Sequence, residues 1–145
     1  MSHYTVPVGP QGPLLIVLIN LTAARRSALQ VAGQPIPPPA LTQIIIDTGA
    51  SMTSIDQLVI AQLGLQPTGT VGILTPSTGT TPHQCSTYDV ELIIPGYVPA
   101  KHIPALAVVG GNYAAQGHKG LLGRDALKDA RLMYSGHDNV VMLSF

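Results

Sequence analysis

The chain has 145 residues, of which 46% are hydrophobic and only 10% charged, so it can bury a core and differs from a disordered segment. Seven Lys and Arg residues balance seven Asp and Glu residues without forming a basic stripe, and we therefore expect no nucleic-acid partner. The length suits a single domain over residues 1–145.

The longest apolar run, at positions 14–19, is too short for a membrane-spanning helix, which needs about 20 apolar residues. It also lacks the basic start and the cleavage site of a signal peptide. Cys85 is the only cysteine, so no internal disulfide can form, and we expect a buried structural thiol. Together these features predict a cytoplasmic protein with no membrane contact.

Short β-branched runs separated by 13 Pro and 15 Gly residues predict an all-β protein. In chain order the predicted strands cover residues 4–8, 14–21, 42–47, 69–75, 84–94, 102–109, 120–122, 132–134 and 139–145. The segment 34–39 is rich in proline, which cannot donate ladder hydrogen bonds, and is predicted to be a stiff surface loop.

Two short helices are predicted between the strands. Ser54 and Gln57 have the spacing of a capping box, apolar residues follow at helical intervals, and Gly64 stands where a C-terminal glycine belongs. The second helix runs from Asp125, as its N-cap, to about Arg131.

The strand at 84–94 shows the clearest alternation, with one apolar face at positions 88, 90, 92 and 94 and a mostly polar face at 87, 89, 91 and 93. A polar, glycine-containing link at 76–82 joins it to the strand at 69–75. These segments predict a long hairpin with one face exposed to solvent.

Asp47 is the clearest candidate for a catalytic residue. It follows three isoleucines at positions 44–46, and a charge at the end of a buried strand is costly unless it is paired or functional. Thr48 adds a hydroxyl group, and Gly49 permits a tight turn with close backbone approach. A carboxylate at a strand end in a rigid turn suits general acid or base chemistry.

The run Ile-Asp-Thr-Gly-Ala-Ser at 46–51 resembles the catalytic turn of aspartic proteases, and Ala50 makes it similar to the retroviral-type branch. The helix ending at 62–65 resembles the segment that follows this turn in cellular and bacterial retropepsin-like proteins. The run Gly-Leu-Leu-Gly-Arg-Asp-Ala-Leu at 120–127 is similar to the second hallmark of that family, and the last strands resemble its C-terminal hairpin. The resemblance covers roughly residues 43–145.

This resemblance implies a retropepsin-like acid protease barrel with one or two short helices, assembled as a two-fold homodimer. It implies that Asp47 is catalytic and that its turn is supported by Thr48, Gly49 and Ala50. The implied flap consists of Thr75, Pro76, Ser77, Thr78, Gly79, Thr80 and Thr81. The implied second hallmark, which would pack beside the catalytic turn, consists of Leu121, Leu122, Gly123, Arg124 and Asp125.

One position departs from the viral pattern. Ser51 stands where viral members carry an acidic residue that can pair with the arginine of the second hallmark, so the sequence does not show what Arg124 binds.

Peptide hydrolysis by this route needs two carboxylates around one water, yet the chain contains a single Asp-Thr-Gly. The expected assembly is therefore a homodimer acting on a peptide or protein substrate, with the terminal strands at 4–8 and 140–145 as candidates for an intermolecular sheet. The five histidines have no ligand spacing, and no metal or cofactor is expected. Two alternatives stay open, namely a catalytically silent barrel that serves as a binding or assembly module, and a domain excised from a larger precursor.

Overall fold

A computed structural model describes residues 3–75, 77 and 79–145 of the chain. The strands are β1 His3–Gly9, β2 Gly12–Leu21, β3 Ala40–Ile46, β4 Ser54–Asp56, β5 Gly69–Ile73, β6 His83–Ile94, β7 Lys101–Gly111, β8 Gly120–Leu122, β9 Arg131–Ser135 and β10 Val140–Ser144. The helices are α1 Ala23–Val31, α2 Gln57–Gln62 and α3 Arg124–Leu127. All nine predicted strands are present, with ends shifted by at most two residues, and β4 is a tenth strand that was not predicted.

Six of the strands close into a barrel. Around it they follow the order β2, β6, β7, β4, β8 and β3, and the pairing of β3 with β2 completes the ring. The pairs β3–β8 and β4–β7 are parallel, whereas the other pairs in the ring are antiparallel. The predicted all-β barrel is thereby confirmed.

The barrel interior is filled by alternate residues of its strands. In β2 the side chains of Leu15, Val17 and Ile19 are buried, and in β3 those of Ile44 and Ile46 are buried. Burying a side chain of this size contributes roughly 1.5–3 kcal/mol. Since β3 is anchored along its length by these contacts, the residue that follows it has a fixed position.

The outer face of β6 is less exposed than its alternation predicts. Asp89 is exposed as expected, but Thr87, Glu91 and Ile93 are buried. Glu91 lies 3.6 Å from Arg26 of α1, so this helix covers part of the face. The single-strand pattern is therefore wrong at these three positions, and at Glu91 the reason is the contact with α1.

Helix α1 was not predicted. It begins after Thr22, whose Oγ1 accepts a hydrogen bond from Arg25 N at 3.3 Å, and it is followed by Gly33 with φ of 65°. No residue of α1 is fully buried, so the apolar stripe that predicts a helix is weak. The segment 34–39 has no regular structure, as its prolines predict.

The start of each predicted helix is displaced. Ser54 belongs to β4, and the N-cap of α2 is Asp56, whose Oδ1 accepts from Leu58 N at 2.8 Å. The N-cap of α3 is Gly123 instead of Asp125, and this helix ends before Arg131, the first residue of β9. Strand pairing with β7 and β8 outweighs the local capping signal at Ser54. No helix in the described ranges is long and apolar enough to cross a membrane.

The terminal strands are paired within the chain. Strand β10 pairs with β1 on one side and with β9 on the other, so it has no free edge for the intermolecular sheet that was predicted for residues 140–145. The other candidate, β1, pairs with β10 and also, at Val8 and Gly9, with β2. Strand β9 lies at the end of the sheet instead and exposes Leu132, Met133 and Tyr134.

Candidate active site

Asp47 follows the last residue of β3 and is half-buried. Its N–H donates to the carbonyl oxygen of Leu122 at 3.0 Å, which extends the parallel pairing of β3 with β8 by one residue. Its own carbonyl oxygen accepts from Ala50 N at 3.2 Å and closes the turn. The backbone on both sides of the carboxylate is therefore fixed by hydrogen bonds.

The carboxylate itself is held by the turn. Gly49 N donates to Asp47 Oδ1 at 2.9 Å. A Cβ atom at position 49 would lie 3.1 Å from the same oxygen, so glycine leaves room for this approach. Thr48, between them, is exposed. The turn thus orients one carboxylate oxygen with a backbone donor and leaves the hydroxyl-bearing residue at the surface.

Arg124 braces the turn from the other side. Its Nη1 donates to Thr48 O at 2.8 Å, and its backbone N–H donates to Ala50 O at 2.9 Å. The partner of the Arg124 guanidinium, which the sequence did not show because position 51 is a serine, is therefore a backbone carbonyl of the turn. The predicted second hallmark and the catalytic turn are in direct contact.

A buried threonine connects the turn to α3. Thr53 is fully buried, and its hydroxyl donates to Asp125 Oδ1 at 2.8 Å while accepting from Gly123 N at 3.1 Å. The backbone N–H of Thr53 also donates to the Asp125 carboxylate at 3.0 Å. Asp125 is thus a structural acceptor one residue inside the helix. Sequence reasoning missed Thr53, because nothing local distinguishes it from an ordinary turn residue.

Asp47 lies in an open cleft of about 620 Å³. The walls come from the Asp47 turn, from β4, from the hairpin of β5 and β6, from β8, and from the end of β7 with the loop that follows it. The lining residues are Asp47, Gly49, Ala50, Ser51, Met52, Ser54, Ile73, Leu74, Thr75, Cys85, Val109, Gly110, Gly111, Tyr113 and Leu121. Most of the lining surface is apolar, so the cleft suits hydrophobic side chains.

The hairpin of β5 and β6, which carries the predicted flap, reaches this cleft near the end of β5, through Ile73, Leu74 and Thr75. Thr75 lines the cleft, and its Oγ1 lies 2.9 Å from Ser77 Oγ. Gly79, Thr80 and Thr81 are exposed and do not line it. Pro76 and Thr78 lie outside the described residues.

Several cleft residues could not be identified from the sequence. Cys85 is only partly buried and lines the cleft, so the expectation of a buried thiol is wrong. Tyr113 enters from the loop after β7, and Ser54 enters from a strand that the capping signal concealed. The adjacent glycines at 110 and 111 were the only available signal, since paired glycines can mark a close approach of other groups.

A buried carboxylate fixes the loop that carries Tyr113. Asp56 is 2% exposed and accepts from Leu58 N at 2.8 Å and from Tyr113 N at 2.9 Å. Burial alone would raise the pKa of Asp56, but these two hydrogen bonds and the charge of Lys119 lower it below the ordinary value. Asp56 therefore remains ionised and joins α2 to the wall of the cleft.

Metal binding has no support in the described part of the chain, where no three His, Cys, Asp or Glu side chains cluster in a way that could hold an ion. The candidate chemistry of the cleft consists of the Asp47 carboxylate, the surrounding hydrogen-bond donors and an apolar surface.

No family model and no curated protein matches the sequence. Among solved structures, a retropepsin-like aspartic protease from Rickettsia conorii aligns with 98% of this chain and 90% of its own, at a TM-score of 0.61 and 12% identity. EIAV protease in complex with the inhibitor HBY-793 aligns with 81% of this chain and 86% of its own, at a TM-score of 0.48 and 18% identity. The retroviral protease-like domain of Ddi1 from Leishmania major aligns with 88% of this chain and 86% of its own, at a TM-score of 0.43 and 14% identity. The chain therefore has the retropepsin-like aspartic protease fold that its sequence motifs imply.

Proposed function

We propose that the chain, as a single domain over residues 1–145, is an aspartic endopeptidase that acts as a homodimer, with Asp47 of each copy forming the catalytic pair. The main support is the position of Asp47, in a hydrogen-bonded turn at the wall of an apolar cleft. The fold shared with a retropepsin-like aspartic protease from Rickettsia conorii is consistent with this proposal.

Two carboxylates around one water divide the chemistry between them. Two full charges about 3 Å apart repel by roughly 5 kcal/mol at an effective dielectric of about 20, so the pair shares one proton. The ionised carboxylate accepts a proton from the water as it attacks the peptide carbonyl carbon. The protonated carboxyl group donates a hydrogen bond to the carbonyl oxygen, and the shared proton then reaches the leaving nitrogen.

The turn contributes orientation. The Gly49 N–H that donates to Asp47 Oδ1 leaves the other carboxylate oxygen available to the water. Arg124 and Leu122 hold the backbone on either side, which limits the movement of the carboxylate during the reaction. No metal and no organic cofactor is required by this mechanism.

The proposed substrate is an extended peptide or protein segment bound between the hairpin of β5 and β6 and the catalytic pair. An extended chain places alternate side chains on opposite sides, which matches a cleft with apolar pockets on its walls. The flap assigned to Thr75–Thr81 would cover the peptide from above.

Strand β9 is the proposed contact between the two copies. Its outer edge is unpaired within the described sheet, and Leu132, Met133 and Tyr134 on it are 36%, 57% and 59% exposed. An exposed apolar edge strand is a template for pairing with another chain, and two identical edges can pair antiparallel about a two-fold axis.

The test compares wild type with Asp47→Asn on a peptide library across about pH 3 to 8. We expect wild-type cleavage that a pepstatin-type inhibitor blocks, and its complete loss in Asp47→Asn with the melting temperature retained. Asp89→Asn, which removes a carboxylate exposed on β6, is the matched control and should cleave like wild type. A wild type that cleaves nothing would favour a catalytically silent binding or assembly module.

A further inference from the structure

Tyr113 adds an aromatic side chain to the lining of the cleft. It follows β7 by two residues, is half-buried and lines the same cleft as Asp47. Its ring lies over Gly111, where an added Cβ atom would stand 2.7 Å from Tyr113 Cε2. The absence of a side chain at Gly111 therefore leaves the space that the Tyr113 ring occupies.

The ring has little freedom to turn away. Its other neighbour is the His118 ring, with the centroids 5.1 Å apart and the planes inclined by 39°. His118 is buried, and its Nδ1 lies 2.9 Å from Gly120 O. The Tyr113 backbone is tied to the buried carboxylate of Asp56. Backbone and ring are thus each held by a buried partner.

The hydroxyl group of Tyr113 is directed toward polar groups of the cleft. Burial raises its pKa, a hydrogen bond from the Ser54 side chain opposes this rise, and the carboxylates of Asp47 and Asp56 add to it. The net shift is upward, so the side chain is a neutral phenol wherever an acid protease works. Its ring is then an uncharged, rigid plate next to the carboxylate.

We propose that Tyr113 is a specificity-determining residue whose ring closes a substrate side-chain pocket beside Asp47 and limits the length of the apolar side chain next to the scissile bond. The inference rests on the proposed peptidase function. Val109 and Leu121 add apolar surface to the same cleft, and the ring is the largest side chain among the lining residues. A homodimer would contain this pocket twice, once on each side of the bond.

The experiment uses peptides that differ only in the side chain preceding the scissile bond, namely Ala, Leu, Phe and naphthylalanine. In wild type we expect kcat/KM to rise from Ala to a medium side chain and then to fall for naphthylalanine. Tyr113→Ala should raise the naphthylalanine-to-Leu ratio of kcat/KM about tenfold or more, since a size difference of this kind is worth roughly 10–200-fold in an apolar pocket. Tyr113→Phe keeps the ring and should keep the wild-type order.

Leu41→Ala, which removes an exposed side chain of β3 outside the cleft lining, is the control for an unspecific effect of losing apolar surface. A ratio that is the same in wild type and Tyr113→Ala, or that changes equally in Leu41→Ala, would overturn the proposal.

Binding separates this inference from the proposed function. Statine-containing inhibitors with the same four side chains at the central residue are titrated by calorimetry, which needs no turnover. If wild type cleaves nothing but Tyr113→Ala still shifts the binding preference toward naphthylalanine, the peptidase proposal fails and the pocket assignment stands. A wild type that binds none of the four inhibitors, or an unchanged order of their Kd values in Tyr113→Ala, would refute the assignment.

Discussion

Thr53 connects two segments that lie next to the Asp47 turn. Thr53 is fully buried, and its hydroxyl group connects Gly123, which directly follows the strand beside the catalytic turn, to the Asp125 carboxylate. Without the hydroxyl group, Gly123 N–H would lose its acceptor, and the Asp125 carboxylate would lose one of its donors. A buried polar group left unsatisfied costs more than the net value of the hydrogen bond that it lost.

Replacing Thr53 by Val keeps the shape of the side chain and removes this hydroxyl. We expect the free energy of unfolding to fall by about 1–3 kcal/mol, because Gly123 N loses its acceptor and the carboxylate loses a donor. Urea denaturation measures the change. Thr5→Val, on the exposed face of β1, is the control and should leave the midpoint within error of wild type.

At the scale of elements, the cleft depends on how β4 and α2 are joined. The Asp56 carboxylate ends β4, caps α2 and holds the loop of Tyr113. Its folded-state pKa is lowered below 3.8. The stability that it contributes is therefore present above the unfolded-state value and is lost as the pH falls through the lower folded-state value.

Asp56→Asn should reduce the free energy of unfolding by about 1–3 kcal/mol at neutral pH, because the amide cannot accept from both N–H groups with its two polar atoms. The difference from wild type should shrink as the pH falls below 3.8, because the Asp56 carboxylate of the unfolded chain takes up a proton there, whereas that of the folded chain does so only at lower pH. Thermal unfolding of both proteins between neutral pH and strong acid tests this. A difference that stays constant over the whole range would show that the charge is not what stabilises the junction.

The junction of β8 with α3 tolerates no side chain at position 123. A Cβ atom on Gly123 would lie 2.6 Å from Met52 C and 2.9 Å from Thr53 N, and backbone atoms cannot move aside as the end of a flexible side chain can. Gly123→Ala should therefore cost about 1–3 kcal/mol of stability and displace the catalytic turn. Melting temperature and cleavage rate should both fall, whereas Gly9→Ala, where the added atom meets nothing within 4 Å, should change neither.

The elements that the sequence predicts well are those whose pattern is set by the barrel interior. All nine predicted strands exist, because alternation in β2 and β3 reflects which side chains are buried. The failures occur where contacts distant in sequence decide the outcome. Ser54 has a good capping pattern, but it belongs to β4, which pairs with β7 and β8. Helix α1 buries no residue fully, so its sequence lacks the apolar stripe by which a helix is usually predicted.

The site shows the same division. The contact between the Asp47 turn and residues 121–125 could be predicted, because the turn chemistry is local and the motifs resemble a known family. Tyr113 and Ser54 were not, since their proximity to Asp47 arises only when the end of β7 pairs with β4. A sequence motif can thus predict the Asp47 turn, whereas the walls of the cleft require the fold.

For the whole molecule, the proposed dimer requires a surface that attracts a second copy. Met133→Lys places a charge in the exposed apolar edge of β9 and should weaken self-association about tenfold or more, because two like charges would meet near the two-fold axis. Sedimentation velocity over a concentration series measures the change. Val31→Lys, an equally apolar but 90% exposed position at the end of α1, is the control and should dimerise like wild type.

The proposed dimer brings Asp47 from two chains into one active site. Wild type and Asp47→Asn are unfolded together, refolded at a fixed total concentration and assayed over a range of mixing ratios. If each site needs both carboxylates, an equal mixture retains about a quarter of the wild-type activity, because only that fraction of dimers carries two intact copies. An equal mixture that retains about half of the activity at every concentration would show that one chain suffices and would contradict the account.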